Sequence, residues 1–185
     1  MTRASVVFVA LVALALLSNW VADILTPQPA ISRPERHTPD FFLTSVQLRA
    51  MDENGVLQHR MSAARIVHYS DDDSSELLEP RFYAIGDQGP LWEVRSDQGS
   101  SDADGKVVML RGAVTMTQLG AANGVLQTRD LLLRPRENYV ETAARVTFQD
   151  GTSHIEATGL RGNLGEGGSL QLLAKVRGVH APANH

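Results

Sequence analysis

The residues best suited to chemistry are six histidines, and their spacing does not gather them into a site. No two stand four positions apart, the spacing that would place two imidazoles on one helix face, and none falls in a tight metal-binding cluster. His59 and His68 flank one strand-like segment, which favours surface or partly hydrogen-bonded sheet positions over a catalytic role. The histidines therefore predict neither a metal site nor a catalytic centre.

Two loop-like segments imitate ligand-binding motifs without meeting their requirements. Residues 99–106 resemble a phosphate-binding loop, but five residues separate the two glycines and Val107 stands where the motif needs a hydroxyl. The acidic residues at 71–73 and 102–105 lack the glutamate that completes a calcium loop. The chain has no cysteine and no Gly-x-Ser-x-Gly sequence. We therefore predict no catalytic residues, no metal and no cofactor.

The length and the charge of the chain limit its class. At 185 residues the chain is long enough for one folded domain with an appendage. Lys and Arg total 17 against 21 Asp and Glu, which gives a formal net charge of −4. Such a chain has no general basic field to hold a polyanion, so we predict no nucleic-acid partner.

The N-terminal segment has the properties of a membrane anchor. Residues 4–22 are almost entirely apolar, and these 19 residues would form a helix of roughly 28 Å, close to the thickness of a bilayer core. Arg3 on the short side predicts a cytoplasmic N-terminus. We expect residues 1–25 to form a single-pass transmembrane helix. A cleaved signal peptide is the alternative, although Trp20 does not suit cleavage after Ala22.

A proline-rich segment follows the predicted anchor. Residues 26–40 contain four of the eight prolines together with charges of both signs. Because proline removes a backbone donor and fixes φ, we expect an extended stalk. The remaining residues, 41–185, would form one exported domain.

Within residues 41–185 the dominant hydrophobic period is two. Val46, Leu48 and Ala50 alternate with polar residues, and Leu57, His59, Met61 and Ala63 do the same after an Asn54-Gly55 turn signal. This pattern predicts an all-β antiparallel sheet with one apolar face. The predicted strands are 46–50, 57–63, 78–85, 91–95, 107–118, 125–133, 139–149, 154–160 and 170–179, and the segment 97–105 is predicted to be a loop.

The apolar face must be covered, either by a packed core or around a trough that accepts lipid chains. Small residues predicted on this face (Gly112, Ala157, Gly159 and Ala174) would leave room for a trough, and the packed core remains the alternative. The residues predicted to contact lipid are Met61, Phe82, Val94, Leu110, Val114, Met116, Leu126, Phe148, Ile155 and Leu172.

Several short segments, in this order and together with the apolar N-terminus, resemble the LptC family. These are periplasmic lipopolysaccharide transport proteins, related to the LptA/OstA-like proteins and tethered to the Gram-negative inner membrane. The segments are 41–44 (FFLT), 54–57 (NGVL), 63–69, 79–82 (EPRF), 92–94 (WEV), 110–114 (LRGAV) and 159–164 (GLRGNL).

The resemblance implies a twisted antiparallel β-jelly roll with an open apolar groove, preceded by a single N-terminal transmembrane helix. It implies a non-enzymatic component of the bacterial inner membrane, with a cytoplasmic N-terminus and a periplasmic body, that carries lipopolysaccharide. The alternative is a membrane-tethered assembly protein with a filled core, acting only through edge-strand contacts.

The resemblance also implies two protein partners, one at each edge of the sheet. The N-terminal edge (Thr44, Val46 and Leu48) would dock on the inner-membrane ABC transporter subunits, and the C-terminal edge would recruit the soluble bridge protein LptA. Gly112 and Gly159 would support these contacts as strand glycines that mark a bulge or bend. The C-terminal edge residues are Leu170, Leu172, Ala174, Val176 and Arg177.

Overall fold

The structure is a computed structural model that describes residues 37–119, 124–151 and 153–180. The predicted anchor and most of the predicted stalk lie outside the described residues. Within the described ranges there is no helix with the length and apolar character to cross a bilayer. The described residues all belong to one compact unit.

The described residues form eleven strands and one short 3-10 turn, so the predicted all-β antiparallel class is confirmed. The turn, Pro135–Glu137, joins β8 to β9. The strands are β1 (Pro39–Met51), β2 (Leu57–Tyr69), β3 (Ser74–Leu78), β4 (Arg81–Gly86), β5 (Gly89–Arg95), β6 (Gln98–Ser101), β7 (Val108–Gln118), β8 (Val125–Arg134), β9 (Tyr139–Asp150), β10 (Ser153–Asn163) and β11 (Leu170–His180).

All these strands belong to one antiparallel sheet, in which most paired strands are consecutive along the chain but β2 also pairs with β4, β3 with β6, and β5 with β7. β3 and β4 lie end to end along one side of β2, while β1 pairs with its other side. In the same way β6 and β5 lie end to end between β3–β4 and β7. The sheet is therefore antiparallel throughout, with β1 at one edge and β11 at the other.

A row of bulges crosses this sheet near the middle of its strands. Register shifts occur beside Gly112 on β7, Asp130 on β8 and Gly159 on β10. Gly112 lies opposite Asp130, and Gly159 lies at the same level of the sheet, two strands away from Asp130. Because bulges bend and twist a sheet, this row divides it into two halves. We call the row the crease; its residues with positive φ are Ser45, Glu79, Gly112, Asp130, Gly159 and Lys175.

The two halves share one apolar core. Phe82 and Val94 on one side of the crease belong to the same cluster as Leu77 and Leu110 on the other. The crease thus lets a single continuous sheet cover its own apolar face, as the two layers of a sandwich would.

The crease also corrects two predictions about which residues face inward. Ala157 and Gly159 are buried as predicted, but Gly112 and Ala174 are exposed. Gly112 is the extra residue of its bulge, with φ +80°, and the positive φ of Lys175 interrupts the alternation of β11. A strict period of two therefore fails where the crease crosses each strand.

Two strand boundaries also differ from the prediction. The predicted strand 78–85 is split, because Glu79 has a positive φ of 50° between β3 and β4. The predicted loop 97–105 contains β6, whose backbone pairs with β3 and β7. The Asn54-Gly55 turn is confirmed: Gly55 has φ +81°, and the carboxylate of Asp52 accepts hydrogen bonds from the amides of Asn54 and Val56.

Candidate functional site

The residues predicted to bind protein partners lie at the two opposite edges of the sheet. Within the described residues, β1 pairs only with β2 and β11 pairs only with β10. Thr44, Val46 and Leu48 lie on β1, and the predicted C-terminal set lies on β11. Gly112 and Gly159 lie on the crease and not at an edge.

Both edges expose large apolar side chains. Phe42 on β1 is 59 % exposed and Val176 on β11 is 54 % exposed, and each has exposed apolar neighbours on its strand. The Arg65 guanidinium lies 4.6 Å from the centre of the Phe42 ring. A strand edge with free backbone groups and apolar side chains is a template for pairing with another strand.

One apolar pocket, here called the first pocket, lies beside β1 and β2. It has a volume of about 300 Å³ and is lined by residues from both sides of the crease. Its polar residues include His59 on β2, Arg136 on the 3-10 turn and Asp104 on the β6–β7 turn. Its apolar walls are Leu48, Met61, Ile66, Leu77, Phe82 and Val108.

His59 has an unusual environment in the first pocket. Its Nδ1 atom is buried without a hydrogen-bond partner, and its ring centre lies 5.6 Å from that of Phe82. Burial lowers the pKa of His59, and the nearby charge of Arg136 lowers it further. The imidazole is therefore neutral at pH 7.

The other charges at the first pocket are unequally paired. Asp104 binds Lys106, and this hydrogen bond lowers the pKa of the Asp104 carboxyl. Arg136 also lowers this pKa through its charge, so its guanidinium is near Asp104 as well as His59. No carboxylate of the described residues forms an ion pair with Arg136.

A second pocket, of about 320 Å³, lies at the opposite end beside β10 and β11. Gln118 is its main polar lining residue, and none of the described residues that line it is charged. The two pockets thus have similar volumes but different polarity. The second pocket is lined by Trp92, Gln118, Leu126, Phe148, Ile155, Leu160, Gly168, Leu170 and Leu172.

The residues predicted to contact lipid are divided between the two pockets and the core between them. Met61 and Phe82 line the first pocket. Four others, Leu126, Phe148, Ile155 and Leu172, line the second. The remaining four lie in the packed centre, where each is at most 2 % exposed: Val94, Leu110, Val114 and Met116.

The β10–β11 loop contributes a buried residue that the sequence analysis missed. Leu164 is fully buried, and its amide donates a hydrogen bond of 2.7 Å to the Asn138 carbonyl. The Asn163 side-chain amide donates another of 2.7 Å to the Glu137 carbonyl. A single leucine between glycines was the available signal that this loop packs onto the core.

A cluster of His and Asp residues joins the start of β1 to the β2–β3 turn. His37 Nδ1 lies 3.0 Å from the Asp71 carboxylate, and His68 Nδ1 lies 2.8 Å from that of Asp40. The hydrogen bond to Asp71 raises the pKa of His37. His37, Asp71 and Asp72 also bring three possible metal-ligand atoms within 4.8 Å of one another, all on exposed residues.

Comparison with known proteins identifies the family. No curated protein matches the chain. The family model described as "Lipopolysaccharide-assembly, LptC-related" matches residues 6–181, nearly the whole chain. The match covers both sheet edges and both pockets, and it confirms the resemblance predicted from the short segments. The chain belongs to the LptC family of lipopolysaccharide-assembly proteins.

Proposed function

We propose that this member of the LptC family receives lipopolysaccharide from the inner-membrane ABC transporter and passes it to LptA without catalysing a reaction. The observation that carries the proposal is the pair of apolar pockets at opposite ends of one folded sheet. Each pocket lies beside an unpaired edge strand of the described residues. This arrangement suits entry of an apolar chain at one edge and exit at the other.

The direction of transfer follows from the family's arrangement of partners. β1 would dock on the periplasmic part of the transporter, and β11 would recruit LptA, each by adding a strand across the interface. Residues 1–25 would anchor the chain in the inner membrane, and residues 26–36 would belong to the stalk that links the anchor to the periplasmic jelly roll. ATP hydrolysis would take place in the transporter.

The packed centre places a physical condition on this transfer. Apolar burial provides a path, since each methylene removed from water is worth about 0.8 kcal/mol. The pockets of about 300 and 320 Å³ are separated by side chains that are nearly inaccessible, such as Val114 and Met116. An acyl chain can pass between the pockets only if the two halves of the sheet move apart, and the crease is the line about which they would bend. The open groove would therefore form during transfer.

The test is site-specific photo-crosslinking to lipopolysaccharide in cells. A photo-reactive amino acid at Phe82 in the first pocket or Phe148 in the second should capture lipopolysaccharide, and one at Leu110 should do so during transport. Matched positions on the outward face of the sheet, the exposed Arg111 and the half-buried Glu156, should remain unlabelled. Labelling at the surface positions with none at the interior positions would contradict the proposal.

The packed centre also favours a second candidate, an assembly protein whose edges hold the complex together. In that case interior substitutions would act only through stability. Lipid binding by the purified full-length chain separates the two candidates. Measurable lipopolysaccharide affinity that falls on substitution of Phe82 or Phe148, with folding preserved, supports transfer, and absence of affinity supports the assembly role.

A further inference from the structure

The first and second pockets differ in the charge of their lining residues. The two ends of the proposed lipid path are therefore not equivalent. The first pocket has Arg49, His59, Asp104 and Arg136 at its lining, whereas none of the described residues that line the second pocket is charged. Asp104 already forms an ion pair with Lys106, so the lysine and aspartate charges offset each other. The excess charge at the first pocket is therefore positive, in a chain whose net charge is −4.

Arg136 is an exposed residue whose backbone is held in a hydrogen-bonded turn. It belongs to the turn Pro135–Glu137, where Asn138 closes the turn by donating its amide to the Pro135 carbonyl at 3.0 Å. The neighbouring Glu137 pairs with Arg134 instead, at 3.6 Å. Among the described residues Arg136 thus has no ion pair, and its five donors are available to an acceptor.

His59 adds a neutral hydrogen-bonding group beside the apolar wall. Of its two ring nitrogens, Nδ1 is the one buried without a partner. Nε2 is therefore the nitrogen left to interact in the pocket. The alternation of β2 places His59 on the same face as Met61. The imidazole therefore lies next to the apolar wall of the first pocket.

Arg49 also lines the first pocket, but its side chain is not placed to share this role. It pairs in register with Arg60, one position away from the inward pair Leu48 and Met61. Successive side chains of a strand point to opposite faces, so Arg49 faces outward. The cationic group of the first pocket is therefore Arg136.

We propose that the first pocket binds the anionic head group of an amphiphile, a phosphate or a carboxylate, through Arg136 and His59, with its hydrocarbon on Phe82, Met61 and Leu77. This inference rests on the proposed function and adds to it the part of the lipid that is recognised. Guanidinium groups bind both anions through paired, charge-assisted hydrogen bonds. A charged head held at the β1 end would keep the hydrocarbon pointing towards the uncharged second pocket.

The test compares three amphiphiles that share one chain and differ in the head group. The full-length chain, in nanodiscs of neutral phosphatidylcholine, is titrated with photo-reactive dodecyl phosphate, dodecanoate and dodecanol, and the labelled peptides are identified by mass spectrometry. Preference for the phosphate or the carboxylate identifies which anion the pocket selects. Labelling should occur on peptides that contain Met61 or Phe82.

The variants are Arg136→Gln and His59→Phe, with Arg95→Gln as the matched control. Arg95 is exposed and has no ion pair among the described residues, so its loss changes the net charge equally. Arg136→Gln should lower affinity for the preferred anion about tenfold, as loss of a charge-assisted hydrogen bond does. His59→Phe should lower it less, and affinity for dodecanol should stay constant in all variants.

The results distinguish failure of this inference from failure of the proposed function. Equal affinity of the wild-type protein for all three amphiphiles, or equal effects of Arg136→Gln and Arg95→Gln, would overturn the inference while leaving lipid transfer intact. No binding of any amphiphile or of lipopolysaccharide would overturn both. A parallel loss of dodecanol affinity in Arg136→Gln would show that the residue acts only through structure, and would also overturn the inference.

Discussion

At the scale of single residues, His59 is a position where stability and binding oppose each other. Its buried, unpartnered Nδ1 is a polar group removed from water without compensation. Such a group lowers stability by about 1–3 kcal/mol. The cost arises at Nδ1, whereas Nε2 makes the proposed ligand contact; binding sites often contain groups that reduce stability in this way.

We therefore expect His59→Phe to stabilise the protein while weakening binding of an anionic head group. Phenylalanine removes the unpartnered nitrogen, keeps a ring of similar shape beside Phe82, and should raise the free energy of unfolding by about 1 kcal/mol. Urea unfolding followed by circular dichroism measures this change. A destabilised variant would show that Nδ1 finds a partner in solution.

His37 gives a second prediction at this scale, concerning pH. Its pKa is raised, first by the hydrogen bond to Asp71, with further contributions from Asp72 and Glu76 and an opposing effect of desolvation. The attraction is therefore complete below pH 6.5, the ordinary value, and is lost as the pH rises through the higher folded-state pKa. The ring also stacks on Tyr69 at 3.7 Å between centres, which limits its movement.

Asp71→Asn should bring the pKa of His37 down towards its ordinary value. NMR titration of the imidazole protons measures it directly, with Glu53→Gln, in the distant β1–β2 turn, as the control. A His37 titration unchanged in Asp71→Asn would mean that the contact with Asp71 does not persist in solution.

At the scale of elements, the crease depends on residues that adopt positive φ inside strands. Gly159 has φ +79°, and a Cβ there would lie 3.1 Å from Leu173 Cδ1 on the edge strand β11. A side chain at this position would have two costs. It would be crowded against β11, and the backbone of an L-residue in the left-handed region is strained by roughly 1–2 kcal/mol.

We expect Gly159→Val to destabilise the body and to weaken co-purification of LptA, because both effects act on β10 and β11. Gly167→Ala is the control, since Gly167 also has positive φ (+65°) but has open space around it. Denaturant unfolding and affinity co-purification measure the two effects. Normal co-purification of LptA with Gly159→Val would contradict the expectation.

The two edges give a prediction that separates their partners. Val176→Asp on β11 should reduce co-purification of LptA and leave the transporter bound, and Phe42→Asp on β1 should have the converse effect. Both side chains are more than half exposed, so neither change should alter folding. Loss of both partners in either variant would show that the edges do not act separately.

The sequence predicted the strands well because alternation is a local property, but it did not predict the crease. The glycines within predicted strands, Gly112 and Gly159, indicated two of the bulges. Glu79, Asp130 and Lys175 also adopt positive φ, but their residue types do not predict it. Their conformation is imposed by the neighbouring strands. β6 was missed for the same reason. Its Gly-Ser-Ser sequence is typical of a loop, and it is a strand because its backbone pairs with β3 and β7.

The candidate site was predictable to a similar degree. Alternation already placed His59 with Met61 on the inner face of β2. Arg136 could not be assigned to that pocket, because it comes from a turn far along the chain whose position depends on the whole fold. Side chains of strands can be placed from periodicity, and those of turns only from the tertiary structure.

At the scale of the whole molecule, the described residues combine two apolar pockets with a packed centre and two edge strands that each pair on one side only. In the proposed function, the packed centre would make this path closed at rest, and it would open when lipid moves through it. The opening would exchange contacts of the central side chains for contacts with acyl chains, so the apolar surface would remain covered. The energy difference between the two states would then be small enough for lipid to change it.

The most direct test is the order in which the interior positions contact lipopolysaccharide. Photo-reactive residues at Phe82 and Phe148 are compared over time in the reconstituted transporter complex after ATP is added. Our account predicts that lipopolysaccharide labels Phe82 first and Phe148 later, with Arg111 unlabelled throughout. Labelling at Phe148 without earlier labelling at Phe82, or labelling only at Arg111, would contradict transfer through the interior of this protein.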